Sequence, residues 1–111
     1  MLIASRVLTL ANENDKIEIP IRIFAPEKSK NGSWFCRYEV DWPGEQHKME
    51  IGGFDSVQAL VLALQAIGAE IHSSNYHKLG KLYLDKPGAG YGFPVMPTLR
   101  DLLQGEDAKY V

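Results

Sequence analysis

The sequence predicts an α+β fold: two layers, with an antiparallel β-meander of four to five strands carrying one long helix on one face. Three observations point there. Ile17, Ile19, Ile21 and Ile23 alternate with Glu18, Pro20 and Arg22, and Trp34, Cys36, Tyr38, Val40 and Trp42 alternate around Arg37, Glu39 and Asp41. Period-two patterning of this kind marks half-buried strands. From Gly53 onward the period becomes helical, with Val57, Leu60, Val61, Leu64, Ile67 and Ile71 recurring at i, i+3, i+4 and i+7. The 111 residues suffice for one core, and no repeat or linker divides them, so residues 1–111 read as one domain.

Taken in order, Leu2 to Leu10 is strand-like, with Arg6 in phase with Leu8 and Leu10. Asn12-Glu13-Asn14-Asp15 reads as a turn into the isoleucine strand, Lys16 to Phe24. Pro20 cannot donate to a ladder, so that strand is expected to be an edge, to bulge, or to have a short neighbour. Ala25 to Ser33 is a polar loop. Trp42-Pro43-Gly44-Glu45 has the proline and glycine of a tight turn. Pairing Trp42 with Glu45 sets Val40 against His47, Tyr38 against Met49 and Cys36 against Ile51. On the opposite face it sets Glu39 against Lys48 and Arg37 against Glu50, two pairs of opposite charge.

Asp55 suits the N-cap of the helix, and Gln58 stands where a capping box returns to the backbone. The helix is expected to end near His72 or Ser73, on the Trp/Cys/Tyr face of the sheet. Leu79 to Leu84 forms a short fifth strand. From Pro87 to Pro97, glycines and prolines surround Tyr91, Phe93, Val95 and Met96, which are expected to drape over the domain. Thr98 caps a last turn carrying Leu99, Leu102 and Leu103, closed by Gly105.

Composition narrows the function classes. A net charge of −2 with scattered lysines leaves no basic footprint for nucleic acid or for an acidic membrane surface. No apolar run reaches the roughly 20 residues of a bilayer span. The single cysteine, Cys36, excludes an intrachain disulfide and fits a reducing, bacterial-type cytoplasm.

The chemical candidates are few. Cys36 needs a base, and the hairpin register holds His47 four residues away along the strand, roughly 13 Å. His72 and His77 lack Cys, Asp or Glu at ligand spacing, so neither a metal nor a cofactor is expected. Gly52-Gly53-Phe54-Asp55-Ser56 precedes a helix, yet Asp55 occupies the place of an anion and serves better as a cap. Gly88-Ala89-Gly90-Tyr91-Gly92 lacks the strand and helix of a nucleotide loop. The Trp34/Phe35/Tyr38/Trp42 aromatics lack the positive groove of a single-strand platform.

Trp34-x-Cys36-x-Tyr38, the run Gly53-Phe54-Asp55-Ser56-Val57-Gln58-Ala59-Leu60-x-Leu62-Ala63-Leu64, and Gly92-Phe93-Pro94 together carry a resemblance. The pattern resembles a family of small, mostly bacterial proteins catalogued as a domain of unknown function. That resemblance implies an α+β domain and no established activity, and transfers no catalytic or binding residue.

The remaining signal lies on the helix. At 100° per residue Ala59, Leu62 and Ala66 point away from the main apolar arc. Either these are good helix formers facing water, or they are covered by a second copy or by the Gly/Pro segment. The expectation is a non-enzymatic protein-interaction module, of immunity- or antitoxin-like scale, acting as a homo-oligomer or on a protein partner. Its interface would use Ala59, Leu62, Ala66, Tyr91 and Phe93. The alternative is a small-molecule binder or minor enzyme, with Arg6, Tyr76, His77 and Tyr91 around a pocket at the helix end.

Overall fold

The computed structural model describes residues 1–86, 88 and 90–94. Its strands are β1 (Leu2–Asn12), β2 (Asp15–Phe24), β3 (Glu27–Lys28), β4 (Trp34–Trp42), β5 (Glu45–Gly53) and β6 (Leu82–Tyr83). Its helices are α1 (Ser56–Ser73) and the short α2 (Asn75–Lys78). The sheet is an antiparallel meander running β6–β1–β2–β4–β5, an α+β fold with the long helix packed on one face. β5 pairs β4 along its full length. The other side of β4 is shared by β2, at Tyr38–Val40, and by β3, at Trp34–Phe35.

The hairpin register follows the sequence pattern at every expected pair, from Trp42 with Glu45 to Cys36 with Ile51. Gly44 closes the turn at φ +72°, a left-handed conformation that glycine takes without steric cost. Both expected cross-strand ion pairs are corrected. Glu39 and Asp41 accept instead from the Arg22 guanidinium on β2, and Arg37 lies 5.2 Å from the centre of the Phe24 ring. Arg22 reaches both carboxylates because β2 sets it directly across from Glu39. Pro20 sits on an interior strand, just outside the three-residue stretch where β4 pairs β2; the short neighbour accounts for it.

Asp55 caps α1 by accepting from the Gln58 amide at 2.8 Å, and the Gln58 side chain returns to the Phe54 amide, one residue before the cap. The inner face of α1 departs from the expected arc. Ala59, Ala63, Ile67 and Ile71 are fully buried, with Gly68 and His72 buried beside them, while Val57 is 67% and Val61 43% exposed. The reason is volume. The strands already present Trp34, Tyr38, Trp42, Met49 and Ile51 to the helix, so alanine at the contact lets the backbone come close. Gly53 shows how close: a Cβ there would collide with the Ala59 backbone. Ala59 therefore belongs to the packing of the helix, and not to a surface. Leu60, Leu64 and Ala66 pack at the margins.

The expected fifth strand is two residues long and pairs Thr9 and Leu10 of β1. Tyr91 and Phe93 are buried with the core, as the draping expectation required. Val95, Met96 and the turn expected at Thr98–Gly105 lie outside the described residues. Among the described residues no helix is long and apolar enough to cross a membrane.

Candidate functional site

Glu70 is the only acidic residue of α1. It lies over the inner face of the β4–β5 hairpin, where alternation directs Tyr38, Trp42 and His47 toward the helix. Its carboxylate takes three donors: Tyr38 Oη at 2.8 Å and His47 Nδ1 at 2.7 Å, both to Oε1, and Trp42 Nε1 at 2.7 Å to Oε2. Tyr76 of α2 stacks on Trp42 with ring centres 5.5 Å apart. A cleft of about 280 Å³ opens beside this group, lined by Trp42, Glu45, His47, Glu70, Ser73 and Ser74. Burial, reinforced by the bond to Glu70, pushes the Tyr38 phenol well above its ordinary value, so it stays a donor.

A second cluster lies at the β1–β6 edge. Tyr91 Oη contacts His77 Nδ1 at 2.7 Å and donates to the Leu82 carbonyl at 3.2 Å. Arg6 donates to the Tyr91 carbonyl at 2.9 Å and lies over the Phe93 ring. Gly92, at φ +78°, leaves room for that guanidinium, which a Cβ would strike. His72 is 1% exposed, with its ring edge-on to His77 and Tyr91. Its Nδ1 donates to the Gly68 carbonyl, and Nε2 has no hydrogen-bond partner among the described residues. Burial, with His72 adding to it, holds the His77 imidazole below its ordinary value.

The structure thus brings three of the four residues of the expected pocket together, Arg6, His77 and Tyr91, but bonded to one another. Tyr76 points elsewhere, onto Trp42. Of the expected interface residues, Tyr91 and Phe93 are buried, at 3% and 5% exposure. Leu62 and Ala66 are half-buried and precede Glu70 at four-residue spacing, so all three share one flank of the helix. Glu70 reaches His47 on β5, which fixes that flank as the one facing the β5 edge. Cys36 is fully buried, donates to the Phe24 carbonyl, and has its thiol pushed up by burial, which disfavours the thiolate. Among the described residues no group of three or more His, Cys, Asp or Glu is placed to hold a metal ion.

The Glu70 group escaped the sequence reading, although a signal existed. The hairpin register already put a phenol, an indole and an imidazole on the face under the helix. A helix with one carboxylate had to spend it there.

Residues 4–95 match the family described as Domain of unknown function (DUF6968), and the chain belongs to that family. No curated protein and no solved structure matches it.

Proposed function

We propose that this chain is a non-enzymatic protein-interaction domain that works as a homodimer, joined edge to edge through β5. One observation carries the reading: β5 is nine residues long and pairs only β4 among the described strands, leaving a full row of backbone donors and acceptors unpaired.

The sequence of that edge suits a second copy of itself. An antiparallel pairing about a two-fold axis through Met49 sets Glu45 against the partner's Gly53, His47 against the partner's Ile51 and Lys48 against the partner's Glu50. The Lys48–Glu50 match occurs twice, each worth roughly 0.2–1 kcal/mol. Moving the axis to Lys48 or to Glu50 sets like charges on the axis itself, and a one-residue offset would mix the two faces. The helix flank agrees. With strands about 4.8 Å apart, helices riding over β4 and β5 of each copy approach to about 10 Å, the spacing of packed helices. Leu62 and Ala66 lie on the flank that meets, and the alanine permits the approach.

Sedimentation equilibrium tests this. The wild type should be a dimer, and Lys48→Glu, on the solvent face of the sheet, should be a monomer that keeps the wild-type fold by circular dichroism. A monomeric wild type at high concentration would refute the reading.

A further inference from the structure

The cleft beside Glu70 offers a ligand one kind of chemistry. The charged groups that line it and can meet an occupant are the carboxylates of Glu45 and Glu70, the latter with a lone pair left on Oε2, and the Ser73 hydroxyl beside them can accept as well as donate. Three donors close by are spent, Trp42 Nε1 and Tyr38 Oη on Glu70 and Ser74 Oγ on the Ile71 carbonyl, which leaves no cationic donor to meet an anion. No lysine or arginine lines it. The wall is the Trp42 indole, backed by Tyr76, and an aromatic face beside carboxylates attracts cations. We infer that this cleft is a binding site for a small organic cation, a primary ammonium or guanidinium group on a short apolar stem. The charged head sits between Glu45 and Glu70, and the stem lies on Trp42.

Glu70 is also a positioning residue here. By accepting from His47 Nδ1 and Trp42 Nε1 it fixes the imidazole and indole planes, so both are set before a ligand arrives. The site needs no second copy, since all its lining residues come from one chain.

The test is an NMR titration of the full chain, following the Trp42 indole N–H with Trp34 as internal control. The probes are butylammonium, agmatine, butanol and butyrate. Saturable shifts at Trp42 with the two cations alone are expected, and Glu45→Gln should weaken them about fivefold. A Trp42 response that fails to saturate, is shared by butanol or butyrate, or is unmoved by Glu45→Gln overturns the assignment. Repeating the titration on monomeric Lys48→Glu separates this result from the dimer: the cation site should survive there unchanged.

Discussion

The two edges of the sheet are finished in opposite ways. At the β1 edge the chain supplies its own cover: β6 pairs Thr9 and Leu10, Tyr91 bonds His77 and the Leu82 carbonyl, and Arg6 holds the Tyr91 carbonyl. At the β5 edge, among the described strands, no strand follows along any of its nine residues. An edge left open over nine residues is a liability unless something pairs it. The proposed association rests on this contrast: β6 covers the Thr9–Leu10 end of β1, and β5 has no strand on its outer side among the described residues.

The helix between these edges supplies the largest expected effect. Ile67→Ala, on the buried inner face, should destabilise by about 2–5 kcal/mol. Val57→Ala, on the exposed side, should stay within about 0.5 kcal/mol. Urea denaturation of both variants decides whether alanine and isoleucine, and not the valine arc, face the sheet; equal losses would contradict the packing.

The closed edge is tested next. Tyr91→Phe strips the partner from a buried carbonyl and from His77 Nδ1, and should cost about 1–3 kcal/mol by the same denaturation without changing the oligomeric state. A change of assembly would mean that this edge is not self-contained.

A smaller effect is pH-linked. His77 is held below 6.5 in the folded chain, so between its folded pKa and 6.5 the unfolded chain binds more protons. Stability must therefore fall as pH drops below about 6.5 through that window. His77→Gln should flatten that limb of the stability profile, and an unchanged limb would remove the assigned cause.

How much of this was legible in the sequence depends on which signal each feature leaves. The hairpin was readable because strand periodicity, the Pro43-Gly44 turn and face parity all fix the same register. The Asp55 cap was readable because capping is local chemistry. The inner face of α1 was not, since hydrophobic periodicity ranks valine and leucine above alanine while packing against Tyr38 and Trp42 rewards small size. The ion pairs of β4 were misassigned because the pattern gives the neighbour within a hairpin but not the competing neighbour, Arg22, across the other edge. Arg6, His77 and Tyr91 were grouped rightly as neighbours, yet a sequence cannot show that neighbours satisfy one another's hydrogen bonds.

The central claim is the register of β5 against itself, and two charge reversals test it most directly. Lys48→Glu and Glu50→Lys should each be monomeric alone, because each sets like charges opposite twice. Mixed in equal amounts, they restore two pairs of opposite charge and should form a heterodimer, read by sedimentation equilibrium. Failure of the mixture to associate, or dimerisation of either variant alone, would contradict the account.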